Sequence, residues 1–358
     1  MTAAPARPRA RDLGLPFPGT PGPWNAITDV PGVAVGFCTL TDPARDMRTG
    51  VTAIVPHHGA RALHPVTAGQ FSLNGNGEMT GTHWIHDGGY FAGPVCITNT
   101  HGVGAVHSGA TRWMIDTYAA HFRDHHAWAM PVVAETYDGV LNDINAMFVR
   151  PEHARAALDA AAVGPVAEGA VGGGNGMIAY EFKGGTGTAS RRVELGDEGW
   201  TVGALVQANH GLRPWLSVLG RPVGQMQPEG RLMGQETGSI IVILATDAPL
   251  SPLSLRHLAR RAGLGIGRGG TPGGNGSGDI FLAFSVADPG AMPQAEGAML
   301  SRRMINPELL DPLYLAAVEA VEEAVVNALV AGEDVPTVKP RGRICRAIDT
   351  AALAALFA

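Results

Sequence analysis

One serine in this chain directly follows a glycine and opens an apolar run, in Gln235-Glu-Thr-Gly-Ser-Ile-Ile-Val-Ile-Leu-Ala-Thr-Asp-Ala-Pro249. The hydroxyl of Ser239 lies one residue downstream of the Gly238 carbonyl. It can attack that carbonyl and form an ester by N→O acyl shift, which water then cleaves. Glycine suits the scissile position because it tolerates strained backbone and leaves its carbonyl open to close approach. Cleavage would free Ser239 with both a hydroxyl and an α-amine. A serine hydroxyl needs an adjacent base to become a nucleophile. An α-amine titrates at about 7.7–8, where a general base works well, and desolvation lowers it further. On local pattern alone the pair reads as a turn entering a strand, and a lone Gly-Ser is no motif.

Other reactive side chains form no such arrangement. His57, His58, His83, His86, His101 and His107 have no HExxH or comparable spacing, so scattered histidines are expected and no metal. Gly172–Gly176 is Gly-rich but lacks the Lys-Ser/Thr of a phosphate loop and leads into a strand pattern, which argues against nucleotide binding. Cys38, Cys96 and Cys345 are far apart and odd in number, as expected of free thiols.

The elements that must position Ser239 are legible as periodicity. Strand-length apolar runs cover Val30–Phe37, Val51–Val55, Pro94–Thr98, Pro131–Ala134, Met177–Phe182, Thr201–Ala208, Ser239–Ala245 and Asp279–Ser285. Helical spacing covers His107–Phe122 and Pro151–Val163. Ser251 and Pro252 cap a helix to about Arg261, and Asp311 and Pro312 start one that stops near Gly332. Residues 1–24 read as a Pro-rich arm, Leu212–Gln235 as an exposed, flexible connection, and Gly263–Gly278 as a Gly-rich loop. Mixed strands and helices predict a layered α/β or α+β sandwich.

The 358 residues are 45% hydrophobic and 16% charged, which fits a compact protein, and the 49 glycines imply many tight turns. A net charge of −6 without a Lys/Arg run leaves no footprint for nucleic acid or an anionic membrane. No apolar run reaches the roughly 18–20 residues of a bilayer span. The first residues lack an apolar signal core, so a cytoplasmic protein is expected.

Several ordered blocks resemble the family of L-aminopeptidase/D-Ala-esterase/amidases and β-peptidyl aminopeptidases, self-processing serine enzymes. They are GSIIVILATDAP and GGNGSGDIFLAFS, with NAITDVPGVAVG, TNTHGVG, PVVAETYDGVLNDIN, EFKGGTGTASR and VQANHG elsewhere in the chain. The resemblance implies a four-layer α/β/β/α sandwich like that of the Ntn hydrolases with different strand connectivity. It also implies one catalytic domain over 25–358, cut into 1–238 and 239–358, with no cofactor. Ser239 matches the nucleophile. Ser277 and Asp279 match the serine and the acidic residue of a second active-site strand, where the family often has Glu. Ser277 would orient the Ser239 amine and Asp279 would support it, as carboxylates do in triads. Asn209 is the candidate oxyanion donor, with Tyr137 a possible second. Glu135 is the candidate for the substrate ammonium, since a charge-assisted hydrogen bond registers a chain end. It shares a face with Tyr137 if the strand continues through both. Asn142 and Asn145 are weaker pocket candidates, and Asn175 departs from the family's Gly-rich block.

The expected activity is release of N-terminal residues from peptides, amino-acid amides or esters (L-α, D-Ala or β-aminoacyl) through an acyl-enzyme on Ser239. The resemblance further implies a homo-oligomer, a tetramer of processed protomers. The alternatives are a polyamide-oligomer amidase of related fold, disfavoured because Thr is its usual nucleophile, and a small-molecule binder that never cleaves.

Overall fold

The computed structural model describes residues 8–60, 63–287 and 290–358. Two sheets lie face to face. One has four strands: β1 (Ala34–Asp42), β2 (Met47–Val55), β5 (Val95–Asn99) and β6 (Val132–Thr136), in the order β1-β2-β5-β6. The other adds β3 (Pro65–Ser72), β4 (Tyr90–Ala92), β7 (Gly185–Leu195), β8 (Glu198–Asn209), β9 (Ser239–Thr246) and β10 (Gly278–Ser285). Their order is β4-β3-β10-β9-β8-β7. Only β5–β6 and β9–β10 run parallel.

Strand alternation divides the core into layers. Ile241, Ile243 and Ala245 of β9 pack with Ile54, Val95 and Val132 of the facing sheet. Ile240, Val242 and Leu244 point the other way, onto α3 (Pro252–Arg268) and α4 (Asp311–Val330). Val51, Ala53 and Cys96 pack outward with Val106 and Ala110 of α1 (Val103–Thr117) and Ala154, Ala157 and Leu158 of α2 (Pro151–Asp159). The result is the expected four-layer α/β/β/α sandwich. No helix among the described residues is long and apolar enough to cross a membrane.

Several sequence expectations are corrected. The loop expected at Gly263–Gly278 is helical as far as Arg268. Gly265 is needed there because a Cβ would lie 2.7 Å from that of Val321, so α3 and α4 meet backbone to side chain. The helix expected at His107–Phe122 begins earlier, at Val103, behind Asn99, whose Oδ1 accepts the Gly102 N–H at 2.7 Å. It breaks at Tyr118. Met177–Phe182 is no single strand, because Tyr180 and Glu181 adopt left-handed φ of 50° and 61° and turn it into a two-residue hairpin. Residues 212–224 of the supposed flexible connection are fixed. Leu216, Val218 and Val223 enter the core, and buried Arg213 donates to the carbonyls of Tyr180, Glu181 and Gln227 while lying 3.3 Å over the Phe182 ring. From Gln225 to Gly238 the segment is mostly exposed, as expected. The described part of the N-terminal arm is docked, with Ala10, Leu15 and Phe17 buried and Arg11 paired to Glu323 of α4 at 2.9 Å.

Candidate active site

Ser239 is the first residue of β9 and is buried. Its antiparallel partner on β8 is Asn209, and its parallel partner on β10 is Gly278. It shares the inter-sheet face with Ile241 and Ile243, at the end of the sheet where the apolar layer gives way to polar groups. Gly238 does not have a left-handed φ, so backbone freedom is not what glycine supplies here. Close approach is. A Cβ on Gly238 would sit 2.0 Å from the Asn209 carbonyl oxygen, so only glycine lets the peptide between residues 238 and 239 lie against β8.

On the other side of Ser239, Ser277 donates its hydroxyl to Asp279 Oδ1 at 2.6 Å, both side chains being fully buried. Asp279 Oδ2 accepts from Asn74 Nδ2 at 3.1 Å. Burial raises the Asp279 carboxyl above its ordinary range. The Ser277 hydroxyl, the Asn74 amide and the Ile240 backbone N–H, next to Ser239, oppose that rise. By alternation Asp279 belongs to the helix-facing side with Phe281 and Ala283, opposite the side of Ser239. Its link to Ser239 runs along the strand, through the neighbouring Ile240 N–H.

Asn209 is held at both ends of its carboxamide. Oδ1 accepts the Ile178 N–H at 2.9 Å and Nδ2 donates to the Tyr137 carbonyl at 3.0 Å, which leaves one N–H for a ligand. The strand through Glu135 ends at Thr136, so Tyr137 is not its face-mate within the sheet. Tyr137 stands half-exposed beyond the strand end, its hydroxyl folded against Gly139. Glu135 is buried, accepting the Glu78 N–H at 3.0 Å through Oε1 and the Thr100 hydroxyl through Oε2. A carboxylate has about four acceptor sites, so capacity remains for an ammonium. Burial is the main cause of its raised pKa. A Cβ on Gly77 would lie 3.1 Å from Glu135 Oε1 and 3.6 Å from the Gly278 Cα, which sets Glu135 close to the partner of Ser239.

Asn142 and Asn145 are not brought into this group. Asn142 accepts the Arg48 N–H and donates to Asp138, both at 3.0 Å, which fixes the loop below Tyr137. Asn145 is exposed on a 3₁₀ turn. Asn175 is no pocket wall, because its amide donates to Leu40 O, Thr41 Oγ1 and Thr49 O and ties down the β1–β2 pair. Sequence reasoning missed Asn74, Thr100 and Asp138. Asp138 is buried under Asn99, Asn142 and Thr49, and burial pushes its carboxyl up to about 6. Nothing local marks these residues; they act only once β3, β5 and β6 bring their ends together.

Among the described residues no group of three His, Cys, Asp or Glu side chains is placed to hold a metal ion. Burial pushes the thiols of Cys96 and Cys345 up to about 12, so neither is a nucleophile at neutral pH. A cavity of about 820 Å³ is lined by Trp84, Tyr90, His121, Trp128 and Met292 near β4. None of the candidate residues above lines it.

Residues 25–343 match the model of peptidase family S58. The chain belongs to peptidase family S58. Among S58-type relatives, the β-peptidyl aminopeptidase BapA of Sphingosinicella microcystinivorans is 49% identical, over 91% of this chain and 86% of its own. BapA of Sphingosinicella xenopeptidilytica is 45% identical, over 93% and 87%. The solved L-aminopeptidase D-Ala-esterase/amidase from Ochrobactrum anthropi, described as a variant of the Ntn hydrolase fold, superposes with a TM-score of 0.94. It is 57% identical over 98% of both chains. A Burkholderia β-aminopeptidase superposes at 0.87, with 48% identity over 97% of both. This S58 chain is accordingly a serine-type hydrolase of the aminopeptidase and amidase class with the Ntn-like sandwich, and its substrates are peptides or amides.

Proposed function

We propose that the chain cuts itself between Gly238 and Ser239 and then removes N-terminal residues from peptides, amino-acid amides or esters through an acyl-enzyme on Ser239. The supporting observation is the placement of one serine. Ser239 opens a buried strand directly after a glycine that can carry no side chain, between Asn209 and the Ser277–Asp279 pair.

In the first event Ser239 Oγ bonds to the Gly238 carbonyl carbon and the C–N bond breaks. The hydroxyl proton ends on the released Ser239 amine. Water hydrolyses the ester to a Gly238 carboxyl group and a free hydroxyl. The chain then exists as residues 1–238 and 239–358, held together by the β8–β9 pairing. In turnover the neutral Ser239 amine takes the Oγ proton as Oγ attacks the substrate carbonyl, then passes it to the leaving amine. Ser277, fixed by Asp279, orients that amine. The second N–H of Asn209 and the Tyr137 hydroxyl stabilise the oxyanion, and Glu135 holds the substrate ammonium. The acyl group is released to water.

Assembly of processed protomers into a homo-oligomer of four copies is part of the same reading. It is supported by the exposed apolar side chains Trp84, Trp128 and Met130 around the large cavity. Denaturing electrophoresis of purified protein tests the proposal. Two fragments, with Ser239 as a new N-terminus and a single band in Ser239→Ala, support it. One full-length band in both would leave a non-cleaving binder. The p-nitroanilides of L-Ala, D-Ala and β-Ala, assayed side by side, then rank the acyl groups.

A further inference from the structure

The α-amine that serves as base in turnover does not exist before the first cut, because it is tied up in the Gly238–Ser239 amide. Self-cleavage therefore depends more heavily on how the intact segment is held. One side chain in the exposed stretch before Ser239 turns inward. Gln235 and Thr237 face solvent, whereas Glu236 reaches back and accepts the Gly211 N–H through Oε1 at 2.6 Å. Gly211 lies two residues beyond Asn209, so this bond continues the β8–β9 pairing past the point where backbone pairing stops. Glu236 Oε2 is buried against the Gly274 backbone, and a Cβ on Gly274 would sit 2.4 Å from it. The loop that begins there carries Ser277, whose N–H is donated to the Gly274 carbonyl at 2.9 Å.

One carboxylate thus touches the chain that follows Asn209 and the loop that leads to Ser277, and it belongs to the segment three residues ahead of Ser239. We infer that Glu236 is a positioning residue for self-cleavage, a clamp that holds the scissile peptide between Asn209 and Ser277 and is no longer needed once the bond is cut. After cleavage Glu236 is third from the end of the first fragment.

This inference rests on the self-processing reading, and the experiment separates the two. The rate of appearance of the Ser239 N-terminus is measured by mass spectrometry for wild type, Glu236→Ala, Glu236→Gln, Gly274→Ala and the double variant Glu236→Ala/Gly274→Ala. Hydrolysis of an aminoacyl p-nitroanilide is measured per cleaved chain. A displacement near 1 Å can cost about a hundredfold in rate, so Glu236→Ala should slow cleavage by about ten- to a hundredfold. Glu236→Gln keeps an oxygen for the Gly211 N–H and should stay within about threefold of wild type. Gly274→Ala pushes on the same carboxylate and should also slow cleavage, without adding to Glu236→Ala in the double variant. Hydrolysis per cleaved chain should be unchanged throughout. Wild-type cleavage rates in Glu236→Ala or Gly274→Ala would overturn the clamp. So would slowing in Glu236→Gln equal to that in Glu236→Ala, or an equal fall in hydrolysis per cleaved chain. A wild-type chain that never cuts would instead remove the self-processing reading beneath it.

Discussion

Ser239 stands directly across the sheet from Asn209, in the last register position of an antiparallel pair, and the glycine before it has room for no Cβ. The relationship ties the proposed nucleophile and the candidate oxyanion donor to one backbone ladder. Anything that shifts one strand against the other shifts both groups.

The first prediction concerns that glycine. In Gly238→Ala the new methyl would meet the Asn209 carbonyl oxygen, so the segment must move outward from β8. The Ile240–Leu244 core does not depend on it. We expect cleavage to fall by about a hundredfold or more, with a Tm close to wild type, measured by fragment appearance and by calorimetry.

Glu135 should separate activity from stability. In Glu135→Gln the charge proposed to receive the substrate ammonium is gone, and kcat/KM on free-amine substrates should fall by about ten- to a hundredfold, as expected for a charged hydrogen bond. N-acetylated substrates should remain inert. Burial raises this carboxyl in the folded state. The folded protein therefore binds the proton more tightly than the unfolded one, and stability falls as pH rises through the gap between the two pKa values. Removing the charge should leave the Tm at neutral pH equal or higher.

Asp138 gives the clearest pH signature. Its carboxyl moves from an ordinary 3.8 to about 6 on folding. The folded state favours the protonated form, so the contribution of Asp138 is fully present below about pH 4 and declines up to about pH 6, by on the order of 3 kcal/mol. Asp138→Asn has no such dependence. Its destabilisation relative to wild type should be larger at pH 4.5 than at pH 7.5, measured by urea unfolding at both.

Ser277 and Asp279 should affect turnover differently. Ser277→Ala removes the group proposed to orient the Ser239 amine, and we expect kcat to drop by about a hundred- to ten-thousandfold with a smaller change in KM. Asp279→Asn keeps a hydrogen-bond acceptor for Ser277 and should be milder. Since burial raises the Asp279 carboxyl, its wild-type effect on the acid limb of kcat lies above the ordinary carboxylate range, and that limb should shift in Asp279→Asn.

The strand opened by Ser239 and most of the elements that form the layers were legible in the sequence because each rests on local periodicity, whereas the four-layer order came from the family resemblance. Ser239–Ala245 and Asp279–Ser285 are unbroken apolar runs, and the observed strands match them within one residue at each end. Pro65–Ser72 and Gly185–Leu195 were missed as strands because Gly, Gln, Thr and Ser interrupt any apolar pattern. Small residues there instead let helices pack close, as at Gly187, where a Cβ would lie 1.9 Å from the Ala324 carbonyl oxygen. The helix through Gly263, Gly265 and Gly267 was hidden for the same reason. Within the site, Asn74, Thr100 and Glu236 lie on three separate segments. What makes them neighbours of Asp279, Glu135 and Gly211 is tertiary closure, which leaves no mark on spacing.

The most direct test is intact-mass spectrometry of active protein quenched during turnover of a slow aminoacyl ester. Two masses should appear, for residues 1–238 and 239–358, with the acyl group carried only by the second and mapping to its first residue. An active chain still continuous across Gly238–Ser239, or an acyl group on any other side chain, would contradict the account.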